Sequence, residues 1–320
     1  AKGRELLNNG LAIAEEIASD YVKACCLAYL CLIDIIEKDK EKIPASLNRW
    51  LSLMKTCKYS YFWGWEPTSM MRLLASAVTL DIEPDFARQL ARKRFGMTIL
   101  TDGTSIPLLA INCLGEFSIG TLKEKLIGPQ DLNANQRELI GLLISSPNHR
   151  LSQEHVQLNF WPDSAPEKAR KSFDTLMSRL RSVLKPKLPF SPKHYISVEK
   201  GYVQLTNTTV DAAEFIGFAE EGRKLSRQGS WWQAGNMFTN ALASWKHFLP
   251  TETFISDQTV TFYDDIHNTL KSACLTWCGM LSEHDRLDEA LSILEKMEKI
   301  LPLDEDCIAL RYKLYINNHT

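Results

Sequence analysis

At 320 residues the chain is too long for one ordinary hydrophobic core, so two or three domains are expected. Its 45% hydrophobic content excludes wholesale disorder. The balance of 37 Lys and Arg against 39 Asp and Glu, a formal charge of -2, argues against a nucleic-acid binder when taken over the whole chain.

The first segment, residues 1–104, reads as helical repeats. Apolar positions recur at helical spacing in Leu6, Leu7, Leu11, Ile13, Ala14 and Ile17, and again from Tyr21 to Ile36. Pro44, Pro67 and Pro84 punctuate the run, and Pro84 stands near the first turn of a further helix. Helices of this length joined by short loops suggest antiparallel pairs of the tetratricopeptide-like kind, extending to about Leu100. Trp63-Gly64-Trp65 and Trp231-Trp232 read as aromatic packing between such helices rather than as a ligand cage. The Tyr21–Ile36 stretch is interrupted by Lys23 and Asp34 and is too short to span a bilayer.

Residues 105–209 change character. Asp102-Gly103 is a turn signal. Three short runs follow, Pro107–Leu114, Glu116–Ile119 and Leu122–Ile127, separated by Gly115 and Gly120, and they predict a small antiparallel meander. Three helices are then expected, over about Ala134–Ser145, Ser152–Phe160 and Pro166–Leu184. A hairpin closes the segment, from His194–Val198 through Lys200-Gly201 to Tyr202–Leu205. Residues 210–320 are helical again: Trp232, Ala234, Phe238, Ala241, Leu242 and Trp245 suit one helix pair, and Arg286–Pro302 suits another. The fold class expected is mainly α, with helical-repeat segments flanking a central α+β domain.

Charge is not spread evenly over these segments. Residues 1–106 carry 14 basic and 13 acidic side chains, residues 107–206 carry 13 and 9, and residues 207–320 carry 10 and 17. Between Lys168 and Lys200 nine basic residues are opposed only by Asp174 and Glu199. A basic stripe inside an otherwise neutral or acidic chain is the electrostatic footprint of a DNA-binding module.

The third central helix gives that stripe a geometry. At 100° per residue from Leu180, Ala169, Phe173, Leu176, Met177, Val183 and Leu184 fall within about 60° of it and form one core stripe. Lys171, Thr175, Ser178 and Ser182 lie opposite, with Lys168 and Lys185 beside them, and Arg179 and Arg181 occupy the two flanks. Short polar and basic side chains on the outer face suit base edges in a major groove, and flanking arginines suit the phosphates on its walls. Lys185, Lys187, Lys193 and Lys200 extend the positive potential towards the hairpin.

The meander, three helices and hairpin resemble the winged helix-turn-helix effector domain of OmpR-type response regulators. Lys171-Ser172-Phe173-Asp174-Thr175-Leu176-Met177-Ser178-Arg179-Leu180-Arg181 is similar to that family's recognition-helix motif, and the likeness puts Lys171 where a DNA-contacting arginine is usual. It implies groove or phosphate positions for Thr175, Ser178 and Arg179. Closer still are the Streptomyces antibiotic regulatory proteins and related large activators. Leu158-Asn159-Phe160-Trp161-Pro162-Asp163, Gly201-Tyr202 and Val210-Asp211 carry that likeness. The helices after Asp211, with Phe215, Trp232, Ala234 and Phe248-Leu249-Pro250, resemble the bacterial transcriptional activation domain of that family, and the first segment resembles the tetratricopeptide-rich region of the large activators. The resemblance implies a cytoplasmic, sequence-specific regulator of transcription that binds double-stranded DNA and recruits RNA polymerase. Two departures stand out: Glu199 occupies a hairpin position commonly held by a DNA-contacting arginine, and no phosphoacceptor receiver domain precedes the meander.

No enzyme motif accompanies this pattern. Phosphate loops, GxSxG, HExxH and DxDxDG are missing from the sequence. The eight cysteines lack zinc spacing and read as buried, reduced thiols. His149, His155 and His194 suit a surface or phosphate-contact role, and His284 a helix-to-helix turn. Neither cofactor nor metal is expected. The absence of an initial methionine suggests a piece of a longer protein, with a sensor region N-terminal to it. The rival reading is a protein–protein interaction scaffold whose basic helix meets an acidic partner.

Overall fold

The computed structural model describes residues 2–245 and 254–319. The chain divides into two compact units, Ala1–Leu108 and Leu109–Thr320. The described residues are mostly helical, with three small sheets among them.

The first unit contains α1 (Lys2–Glu16), α2 (Asp20–Glu37), α3 (Lys42–Thr56), α4 (Pro67–Thr79) and α5 (Pro84–Phe95). Their ends carry local signals. Ser19 accepts from the Val22 N–H to cap α2. The Glu66 carboxylate accepts from the N–H groups of Thr68 (2.9 Å) and Ser69 (2.6 Å); hydrogen bonding from the Ser69 side chain, together with these backbone bonds, holds its carboxyl down at about 2. Pro67 and Pro84 open α4 and α5, where a missing N–H costs nothing. Trp50, Leu47, Leu51, Met54, Phe62, Met70 and Leu73 are fully buried between these helices.

Two expectations for this unit need correction. The helical run ends at Phe95, short of Leu100. Gly96 takes the left-handed conformation (φ 61°) and its N–H returns to the Arg92 carbonyl, which terminates α5. Met97–Ile99 then forms β1, paired antiparallel with β2 (Ser105–Pro107), and Asp102-Gly103 is the tip of that hairpin rather than the start of the central domain. The second correction concerns Trp63. Trp65 packs against Phe62 and Phe95 as expected, but the Trp63 side chain is 82% exposed, and only its backbone is engaged, by the hydroxyl of Tyr21 and the thiol of Cys25.

The second unit opens with β3 (Leu109–Asn112), β4 (Ser118–Gly120) and β5 (Lys125–Ile127), the antiparallel meander. The helices α6 (Ala134–Ile144), α7 (Gln153–Phe160) and α8 (Pro166–Leu184) follow, with β6 (Arg150–Ser152) between α6 and α7. The hairpin is β7 (Ile196–Glu199) and β8 (Tyr202–Leu205), and β6 joins it on the β8 side. β9 (Thr208–Val210) runs back parallel to β3, with Val210 opposite Ile111, and completes the four-stranded sheet β5-β4-β3-β9. α9 (Asp211–Arg227), α10 (Trp231–Ala243), α11 (Asp257–Glu283), α12 (Leu287–Ile300) and α13 (Glu305–His319) complete the unit.

Two carboxylates join these late helices to the early sheet and to α6. Asp211, the first residue of α9, accepts from the backbone N–H groups of Cys113 (2.8 Å) and Leu114 (3.0 Å), in the turn that leaves β3. Glu138, buried within α6, accepts from the N–H groups of Ile255 and Ser256 and from the Thr259 hydroxyl at the start of α11. Phe254 lies on Gly141 of α6, where a Cβ would come within 2.3 Å of its ring, and it meets Phe117 edge-on. Any side chain at position 141 would push that ring away. Phe248-Leu249-Pro250, quoted above for the activation-domain likeness, lies outside the described residues.

Removing the Asp211 carboxylate takes the acceptor from the N–H groups of Cys113, Leu114 and Ala212, so Asp211→Ala should lower unfolding free energy by about 2–3 kcal/mol, with Asp211→Asn less affected. Urea denaturation of the full chain measures both. Glu66 gives the first unit a pH dependence of known sign. A carboxyl depressed in the folded state adds stability above its ordinary value of 4.5 and loses it as pH falls towards about 2. The melting temperatures of the parent and Glu66→Ala should therefore differ at neutral pH and converge on acidification through that window.

Candidate nucleic-acid interface

α8 is a strongly two-sided helix. Ala169, Phe173, Leu176, Met177, Leu180 and Leu184 are buried, and Val183 is half-buried at the edge of the stripe. Pro166 opens the helix and Glu167 stands in its first turn, where a negative charge favours the N–H end of the helix. Seating this stripe against α6 and α7 leaves the opposite face turned to solvent. Lys168, Lys171, Thr175, Ser178, Arg179, Ser182 and Lys185 are all exposed. Among the described residues, none of the four cations Lys168, Lys171, Arg179 and Lys185 is paired with a carboxylate. Several cations elsewhere in the unit are spent: Lys224 on Glu221, Lys271 on Asp304 and Asp306, and Arg311 on Glu298.

Arg181 is a correction. It is half-buried, and its guanidinium donates to the Ile196 carbonyl at 3.1 Å, so it ties α8 to β7 instead of standing free on the flank. Burial lowers the pKa of its guanidinium from the ordinary value. Arg170 takes that flank instead. It lies about 80° from Leu180 on the same side as Arg181 and is exposed. The helical projection already places Arg170 there, beside the more conspicuous Ser-Arg-Leu-Arg run. Lys187 is also engaged, 2.5 Å from Asp131, whose carboxyl it holds below its usual range.

A shallow groove of about 350 Å³ runs along the start of α8, between Lys168, Lys171, Thr175 and Arg179 on one side and Asn133, Asn135 and Trp161 on the other. Asn133 is occupied, because its side chain accepts from the Gln136 N–H while Gln136 returns a bond to the Asn133 N–H. Asn135 is exposed in the first turn of α6. Sequence reasoning missed Asn135 and Trp161 because their nearness to α8 is a tertiary fact. The Thr175 hydroxyl donates to the Lys171 carbonyl at 2.8 Å, which leaves its oxygen free only to accept.

The hairpin is held to the same body. The Gln153 N–H at the start of α7 donates to the Gly201 carbonyl (2.8 Å), fixing the turn that carries Lys200. Arg150 stacks 3.8 Å over the Tyr202 ring. Lys193 and Lys200 are exposed, as is Glu199. Two histidines read as surface or phosphate-contact groups have internal partners: His155 meets Gln258 of α11 through Nε2 at 3.1 Å, and His149 meets the Ile144 carbonyl. His284 caps the end of α11 and stacks on Trp231. Among the described residues, no group of three or more His, Cys, Asp or Glu side chains is placed to hold a metal ion, and no helix is long and apolar enough to cross a membrane.

Residues 210–316 match the family described as bacterial transcriptional activator domain. The chain is 24% identical over 145 residues to the transcriptional regulatory protein MoaR1 of Mycobacterium bovis (strain BCG / Pasteur 1173P2), covering 42% of this chain and 47% of that protein. MoaR1 of Mycobacterium tuberculosis (strain ATCC 25618 / H37Rv) gives the same figures. The chain thus spans about half the length of the curated relatives it matches. Among solved structures, Mycobacterium tuberculosis EmbR in complex with a low-affinity phosphopeptide is similar with a TM-score of 0.38 and 16% identity, over 65% of each chain.

The two arginines one turn-face apart should separate in a stability measurement. Arg181→Ala removes the donor to Ile196 and should cost about 1 kcal/mol, whereas Arg179→Ala on the open face should stay within about 0.5 kcal/mol of the parent. Chemical denaturation followed by circular dichroism checks both.

Proposed function

We propose that the chain is a bacterial transcriptional activator that binds duplex DNA through the outer face of α8, in the manner of a winged helix-turn-helix. The observation that carries this reading is the exposed cationic face: Lys168, Lys171 and Arg179 on α8 and Lys185 at its end form no ion pair among the described residues, and Asp174 is the acidic side chain that shares the face. A folded domain with net charge near zero normally interleaves its signs. A helix that keeps its cations unspent is poised to exchange them for phosphates, and the counterions released from DNA favour that exchange. The match of residues 210–316 to the bacterial transcriptional activator domain, and the likeness to MoaR1, support the regulatory half of the proposal.

In this reading α8 enters the major groove. Thr175, Ser178 and Ser182 face base edges, while Lys168, Lys171, Arg179 and Lys185 meet phosphates or bases, and Arg170 meets the wall that Arg181 does not reach. With its proton committed to the helix backbone, the Thr175 hydroxyl favours a base amino group or a thymine methyl over a base carbonyl. The hairpin, through Lys193 and Lys200, contacts the flanking backbone. The helices from Asp211 onward take protein partners, RNA polymerase among them, and the first unit links the module to a sensor region. The role requires no catalytic group, and its setting is the cytoplasm.

Binding of promoter-length duplex at graded salt tests the proposal. Lys171→Ala and Arg179→Ala should each weaken binding and reduce the slope of log K against log salt by about one unit. Arg181→Ala should leave that slope unchanged once its lower stability is allowed for. A chain with no saturable duplex binding, or one indifferent to Lys171 and Arg179, would instead be a scaffold for an acidic protein partner.

A further inference from the structure

A second surface of the unit has no part in DNA binding. Between the end of α10 and the length of α12 lies a groove of about 350 Å³, a size that suits a small-molecule ligand. Its apolar lining is Leu242, Ala243, Ile293, Met297 and Ile300, with the Trp245 indole at one end. Ile293, Lys296, Met297 and Ile300 are spaced i, i+3, i+4 and i+7, so the stripe and one lysine share a helix face. Lys296 and Lys299 stand at the groove, both exposed, and neither has an ion-pair partner among the described residues.

The charge on α12 is sorted rather than mixed. Glu298 and Glu295 are drawn to Arg311 of α13, Glu298 at 2.5 Å, and this leaves the lysines alone on the α10 side. An apolar trough with an uncompensated positive rim selects a ligand with a hydrocarbon body and a single negative head. Trp245 gives the groove a fixed wall: the residue is 6% exposed and packed edge-on against Phe215.

We infer that the groove between α10 and α12 binds an aliphatic carboxylate, with the hydrocarbon chain along Ile293, Met297 and Ile300 and the carboxylate held by Lys296 and Lys299. The site is separate from α8, so it stands or falls independently of the DNA reading.

Calorimetric titration of the full chain with decanoate, decan-1-ol and decyltrimethylammonium, each below its micellar concentration, tests this. Decanoate should bind saturably with one-to-one stoichiometry, and the alcohol and the cation at least about tenfold more weakly. Lys296→Glu combined with Lys299→Glu should weaken decanoate by about tenfold or more. Ala243→Phe, a change at an exposed position that fills the trough, should abolish binding while circular dichroism stays as in the parent. Absence of saturable decanoate binding overturns the inference. So does equal affinity for decan-1-ol, or an affinity unchanged in both variants.

Discussion

The second unit depends on two carboxylates that accept backbone N–H groups from distant parts of the chain. Asp211 gathers the turn after β3, and Glu138 gathers the first residues of α11. Each satisfies peptide groups far away in the chain, and each spans about a hundred residues of sequence. The pairing of β9 beside β3 leads directly into Asp211, so the sheet and the helix that follows it are fixed together. Helices from Asp211 onward therefore pack with the meander, α6, α7 and α8 as one compact unit from Leu109, across the position where the sequence alone suggests a boundary, 209/210.

That frame explains how a chain of net charge -2 presents a cationic surface. Some charged residues of the unit pair locally: Lys187 with Asp131, Lys271 with Asp304 and Asp306, Arg311 with Glu298. Among the described residues Lys168, Lys171, Arg179 and Lys185 have no such partner, and the apolar stripe of α8 determines that they face out. Arg181 marks the border between the two regimes. One residue round the helix from the open face, it is desolvated and bonded to Ile196, and serves the packing of the domain.

Local signals made much of this legible in the sequence. The span of α8 is defined by Pro166 at its start and a strict apolar period, and the mainly helical class with a small sheet component follows from the change between periods 3.6 and 2. The strands of the meander and the hairpin are set by their flanking glycines and β-branched runs. What escaped were consequences of tertiary proximity. β1 hid behind a helical-looking run because the stop signal is the single left-handed Gly96. β6, three residues long, exists only because β8 is there to pair with it. Trp63 could not be told from Trp65 by composition, although one is exposed and the other buried. Arg170 and Arg181 share a flank in projection, and only the nearness of β7 distinguishes the one that is free from the one that is not.

The side chain of Gln258 is small in area and wide in reach. Its amide nitrogen donates to the hydroxyls of Ser145 and Ser146 at 2.9 Å, and its amide oxygen meets His155 at 3.1 Å. One planar group on α11 thereby grips the corner where α6 ends and α7 begins. Bonds of this kind weaken steeply once stretched or tilted, so a slide of α11 along its axis would break them. A single amide thereby ties a helix from the last third of the chain to α7, the immediate neighbour of α8.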